Sequence, residues 1–170
     1  MSDLSPLLKD THCSEGLRLP WIALGLMLSA LLALIVFGIH YAEPWRQALA
    51  EAERVSIRSW LYGIGIALFP MTNLLRYIQL RLSQTMPLED VKEPMQIVVT
   101  AKRRYLQTSL VSMSMMEIVG IFGFILFMLG DPINTLWMFM GMAALGFYLY
   151  RPQCEDYLIV LDALRHQETR

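Results

Sequence analysis

Charge is what this sequence has least of. Asp, Glu, Lys and Arg supply 17% of its 170 residues, against about 25% in a soluble globular domain. Hydrophobic residues supply 55%. The shortage is uneven, because charges crowd into a few windows and leave long stretches empty. It excludes a disordered chain and an ordinary soluble domain, and it implies a polytopic membrane protein. A net charge of −1 excludes the concentrated basic surface that nucleic acid requires. Cysteine is nearly absent: Cys13 and Cys154 stand near opposite ends, with no CxxC pair and no zinc spacing. Catalytic signatures are missing as well. There is no GxSxG, HExxH, P-loop or dinucleotide glycine fingerprint. The apolar stretches also lack the Ser/His pair, paired Asp or zinc motif of an intramembrane protease. We therefore expect no enzyme, no cofactor, no metal site and no small-molecule substrate. His12, Cys13, Cys154 and His166 have no local ligand spacing to argue otherwise.

What the chain does have is four long apolar stretches, over about 19–42, 59–80, 105–129 and 135–150. A helix rises 1.5 Å per residue and a hydrocarbon core is about 30 Å thick, so about 20 residues cross it. The first stretch is too long for a signal-peptide core and ends in His40-Tyr41-Ala42-Glu43-Pro44, a poor cleavage site. Pro70 is expected to kink the second, and Arg76 near its far end to extend toward the headgroups. The fourth is short and flanked by Trp137, Tyr148 and Tyr150, as at membrane interfaces. The expected fold is all-α: an integral membrane four-helix bundle of two transmembrane hairpins. A polar segment, 1–18, precedes it, and an amphipathic tail, 151–170, follows. No internal repeat of the transporter kind is visible.

Lys and Arg set the expected orientation. Lys9 and Arg18 precede the first stretch, Arg81, Lys92, Lys102, Arg103 and Arg104 follow the second, and Arg151 and Arg165 follow the fourth. That bias puts both termini and the 81–104 connection in the cytoplasm of a bacterial-type inner membrane. Arg46, Arg54 and Arg58, in the 43–58 connection, are outvoted. Both cysteines would then face a reducing compartment, and no disulfide between them is expected.

The connections also carry pattern. Glu43-Pro44-Trp45 reads as a helix start, and Trp45, Leu49 and Ala52 predict a short helix lying on the outer face. Glu93-Pro94 predicts a second start that runs unbroken into the third stretch, with Lys102, Arg103 and Arg104 at phosphate level. In the tail, Cys154, Tyr157, Leu158, Leu161 and Leu164 form an apolar stripe opposite Glu155, Asp156, Asp162 and Arg165. That helix wants a surface: the bilayer, the chain's own loop or a partner.

Glu117 is the sharpest single feature, an acid near the middle of the third stretch. Bare in lipid it would cost about 3 kcal/mol even on lenient insertion scales. It must be protonated, paired, or turned toward a polar interior. Ser114 lies one turn before it and Gly120 one turn after, with Ser109, Ser112 and Gly123 near. One reading makes Glu117 a proton or cation site with Ser114 and Asn73. The other makes it a polar fastener bonded to Asn73 or Thr72, or to another chain. The run Glu117-Ile118-Val119-Gly120-Ile121-Phe122-Gly123 resembles the second helix of rotary-ATPase proteolipid subunits, where a membrane glutamate precedes small residues and an aromatic. The likeness covers seven positions, and the glycine-rich partner helix of that family is missing here. It is an analogy of one carboxylate's chemistry.

Small residues recur at one-turn spacing: Gly25, Ser29 and Ala33 in the first stretch, Gly63 and Ala67 in the second, Gly120 and Gly123 in the third. Such stripes let helices approach closely, within the bundle or onto another membrane subunit. The methionine clusters at 113–116 and 138–142 point to several helix faces, so they read as packing filler and not as a copper site. The expected role is a non-enzymatic accessory, scaffold or assembly subunit, whose partners are the lipid bilayer and another membrane protein or a second copy. The alternative is a proton- or cation-handling component using Glu117.

Overall fold

The computed structural model describes residues 6–46, 49–85 and 94–168. Five α-helices make up the fold: α1 (Pro6–His40), α2 (Glu51–Thr85), α3 (Pro94–Met128), α4 (Ile133–Leu149) and α5 (Cys154–Glu168). A 3-10 turn, Glu43–Trp45, follows α1. Proline opens α1 and α3, where its missing N–H has no helical partner to lose. As the sequence predicts, α3 runs unbroken from Pro94. Pro70 lies within a continuous α2. The expected helix start at Glu43-Pro44-Trp45 is a single 3-10 turn, and Glu51 to Arg58 are already the first turns of α2; the expected short helix between them crosses residues 47 and 48, which lie outside those described.

The first three helices have 35 residues each. At 1.5 Å per residue that is about 52 Å, well beyond the hydrocarbon thickness. Two of them are apolar and long enough to cross a membrane, α1 over Gly16–His40 and α3 over Gln96–Met128. A third crossing is reached if α4 and α5, bent by 47° at the break between them, count as one span. α2 fails the same composition test, because Pro70, Thr72, Asn73 and Arg76 dilute its apolar run. The expected four spans thus reduce, by length and composition, to two or three.

α3 is the hub. α1, α2, α4 and α5 all pack on it, and α1 and α2 make at most marginal contact with each other. The first of the two expected hairpins is therefore joined mainly through α3. The main core joins Met113, Met116, Val119 and Leu126 of α3 to Leu136, Phe139 and Ala143 of α4, with Leu24 and Leu31 of α1 and Leu68 of α2. Gly120, Gly123 and Gly146 let these helices close up. A Cβ on Gly120 would meet Leu31 and Ala143, one on Gly123 would meet Phe139, and one on Gly146 would meet Met116.

A second core lies beyond it. The apolar stripe of α5 (Tyr157, Val160, Leu161, Leu164) covers Ile97, Ala101 and Tyr105 of α3, with Leu17 of α1 and Leu80 of α2 at its edge. Gly16 makes room for the Tyr157 ring, whose Cζ would lie 2.6 Å from a Cβ there. The Tyr105 hydroxyl donates to the Gln153 carbonyl at 3.0 Å and accepts from the Gln153 N–H at 2.8 Å. So α5 uses its apolar face on the chain itself, and α4 with α5 forms one bent antiparallel partner for the whole of α3.

This docking brings the two ends of the sequence together. Cys154 is disulfide-bonded, and the sequence holds one other cysteine. The expectation of no disulfide is corrected. That expectation rests on a reducing compartment for both cysteines; in the fold α5 packs back against α1, with Gly16 on Tyr157 one turn past each cysteine position.

Candidate functional site

Glu117 sits half-buried at the edge of the outward face of α3, whose exposed positions include Ser114, Ile118, Ile121 and Ile125. Its Oε2 is buried without a hydrogen-bond partner. The expected fasteners do not reach it. Thr72 Oγ1 on α2 is likewise buried and unpartnered, and Asn73 and Ser114 are exposed. The buried hydroxyls of α3 belong elsewhere: Ser112 donates to the Thr108 carbonyl at 3.0 Å. At about 100° per residue, Ser112 stands roughly 140° around the helix from Glu117. The structure therefore does not gather Glu117, Ser114 and Asn73 into one site. No polar file leads to the carboxyl group among the described residues.

The small-residue stripes divide. Gly120 and Gly123 are interior packing positions. Gly25, Ser29, Ala33, Gly63 and Ala67 are exposed, and a Cβ on Gly25 or Gly63 would meet nothing within 4 Å. Packing within the bundle, expected for them, is not what they do. Ser29 closes its own hydroxyl on the Leu26 carbonyl at 2.7 Å, so the α1 stripe presents no free donor.

The densest polar cluster is one that the sequence reading passes over. α3 ends in a glycine cap. Gly130 adopts φ 95°, Asp131 N–H donates to the Leu126 carbonyl at 3.1 Å and Gly130 N–H to the Phe127 carbonyl at 3.2 Å. This is a Schellman closure, which ends the helix and leaves carbonyls pointing outward. Two arginines of the 46–58 segment take them, and a third joins at the Asp131 side chain. Arg46 donates to the carbonyls of Phe127 (3.2 Å) and Asp131 (3.0 Å), and Arg54 to that of Gly130 (2.9 Å). The Arg46 guanidinium also lies 4.4 Å over the Phe127 ring. The Asp131 side chain, 0% exposed, pairs with Arg54 and Arg58 at 3.4 Å each. Cations at a helix C-terminus oppose its negative dipole end, so the charges that defy the orientation rule hold this turn. The sequence signal was available: three arginines without a role, opposite an aspartate in a Gly-Asp-Pro turn.

Arg76 is also corrected. Instead of reaching for headgroups, it turns inward and donates to the Asp156 carboxylate at 2.6 Å, with 11% of its side chain exposed. The Tyr150 ring lies 6.0 Å away, and the Tyr150 hydroxyl donates to the Phe69 carbonyl at 2.8 Å. The methionine clusters diverge as expected, Met113 and Met116 inward and Met138 outward. Among the described residues no three His, Cys, Asp or Glu side chains gather as a metal site. With Cys154 bonded, the remote set of His12, Cys13, Cys154 and His166 loses a thiolate; the other three side chains lie outside those described.

Compared with known proteins, the chain matches no family model, no curated protein and no solved structure.

Proposed function

We propose that this chain is a non-enzymatic, multi-pass accessory or scaffold subunit of a bacterial-type inner membrane. It docks through the outward face of α1 onto another membrane protein or a second copy of itself. One observation carries the reading: Gly25, Ser29 and Ala33 form a shallow exposed stripe that no helix covers among the described residues. In lipid, helices gain little from hydrophobicity and associate through close backbone approach, which such stripes permit.

The four-span architecture belongs to this proposal. Composition weighs α2 by all its residues, but lipid meets one face. Its outward side carries Trp60, Ile64, Met71, Leu74 and Ile78. Arg76, its central charge, is neutralised against Asp156. We place the α5 end in the cytoplasm, since Lys and Arg gather there while the three arginines of the other end are engaged on α3.

The docking role is tested by solubilising membranes in mild detergent and running native gels. Wild type is expected to migrate as a complex, and the double variant Gly25→Leu, Ser29→Leu to insert normally but migrate as a lone chain. A wild type that already migrates alone, or a double variant that migrates like it, overturns the reading. A second reading rests on the buried, unpartnered Oε2 of Glu117: proton or cation handling. Flux across vesicles that Glu117→Gln abolishes would replace the scaffold role; equal passive leak with either chain removes the transport reading.

A further inference from the structure

Ser114, Ile118, Ile121 and Ile125 form an outward strip of α3 that no helix covers among the described residues. They follow one another at steps of four, three and four residues. At about 100° per residue all four fall within about 60° of the helix circumference. The strip runs between two neighbours. On one flank Phe124 meets the Phe37 ring of α1, centroids 6.1 Å apart, and Gly120 closes on Leu31. On the other, a Cβ at Gly65 of α2 would lie 3.9 Å from Val119. α1 and α2 make at most marginal contact with each other, and neither closes over the strip.

Alternating steps of four and three are the a/d seam along which one helix receives another, and the g position just before a is where paired helices exchange charges. With Ile118 and Ile125 at a, and Ser114 and Ile121 at d, Glu117 stands at g. It lies 13 residues past Arg104 and 14 before Asp131, about 20 Å from either charged end. Its Oε2 is buried without a hydrogen-bond partner. An acid at such depth calls for a pairing group. This chain has no base to offer it, in itself or in a second copy. Lys and Arg are missing from 19–42, 105–129 and 133–150, and Arg76, within the apolar stretch of α2, is engaged by Asp156.

Seam, unmet acid and missing base match one kind of occupant. We propose that this strip seats a transmembrane helix of another protein that carries Arg or Lys at mid-span, its cation closing on Glu117. Acyl chains would fill the strip and leave the carboxyl group unmet. The inference rests on the membrane placement of the proposed function. It adds a contact separate from the α1 stripe, since Gly25 and Ser29 stand roughly 120° and 160° around α1 from Leu31.

The test places the full-length protein in phosphatidylcholine vesicles with synthetic Leu-Ala membrane helices of about 21 residues. These differ only at the central residue, and energy transfer reads their binding. The Arg-centred helix is expected to bind about tenfold more tightly than the Leu-centred one, the worth of one hydrogen bond to a charged group. Glu117→Gln should erase that preference. Ile121→Trp, which fills the seam, should weaken every helix. Leu145→Trp, at an exposed position of α4, and the double variant Gly25→Leu, Ser29→Leu should bind like wild type. Equal binding of Arg- and Leu-centred helices by wild type, which needs no variant to fold, overturns the proposal. A Gln-centred helix that binds as well as the Arg-centred one overturns the cation in favour of a neutral donor. Ile121→Trp binding like Leu145→Trp, or loss of binding in the α1 double variant, overturns the strip. Energy transfer between two copies of the chain that Ile121→Trp abolishes overturns the foreign helix in favour of a second copy. A wild type that migrates alone on native gels leaves these contrasts intact, so failure of the α1 docking role and failure of this site are read separately.

Discussion

At the scale of single residues, Asp131 does more than Glu117. Its carboxylate is fully enclosed and faces Arg54 and Arg58, whose side chains are 25% and 34% exposed. Removing the enclosed partner of a buried ion pair typically costs about 3 kcal/mol or more, whereas a partly exposed pair contributes under about 1 kcal/mol. Asp131→Ala is therefore expected to lower the thermal midpoint in detergent clearly, and Arg58→Ala to leave it nearly unchanged. Equal shifts for the two would show that the cluster is surface charge and no fastening. The isolated acid of α3 is plain in the sequence, because one carboxylate among apolar neighbours stands out. Its surroundings are not, since hydroxyls on α2 and α3 reach it or miss it according to helix rotation. The arginine cluster is only partly legible for a related reason: the Asp131 carboxylate is a visible partner, but the other partners are main-chain carbonyls more than 70 positions away, at 127 to 131.

At the scale of elements, the tail helix is the instructive case. Its apolar stripe is legible at 157, 161 and 164, and so is its need for a surface. Which surface it takes depends on the length of α3. With 35 residues, α3 outruns the 17 of α4, and its exposed first turns offer Ile97, Ala101 and Tyr105 for α5 to cover. Gly16 is the close point of that contact. Gly16→Leu is expected to push Tyr157 and α5 off the bundle, which limited proteolysis would report as faster cleavage near 150–153. Unchanged cleavage would mean that α5 is held without the Gly16 contact. Long apolar runs mark α1 and α3 in the sequence because nearly every position in them meets lipid or core. α2 is harder to read. One of its faces is apolar and exposed, another meets α3, and the Arg76 charge between them is paired with Asp156 across the fold.

At the scale of the molecule, everything depends on a central rod, α3, onto which the other four helices pack. Arg46, Arg54 and Arg58 tie the start of α2 to the end of α3. α1 and α2 both keep exposed outward faces, and the docking reading uses that of α1. The four-span arrangement requires α2 to cross the bilayer beside α3, although its composition falls short of the α1 and α3 standard. Single cysteines at Glu53 and Thr85, the two ends of α2, in a chain whose Cys13 and Cys154 are serine, put this to a direct measurement with an impermeant maleimide. The account predicts that intact cells are labelled at 53 and that 85 reacts only after the membrane is opened. Labelling of both positions from one side would contradict it, leaving α2 on the membrane surface and the four-span arrangement without support.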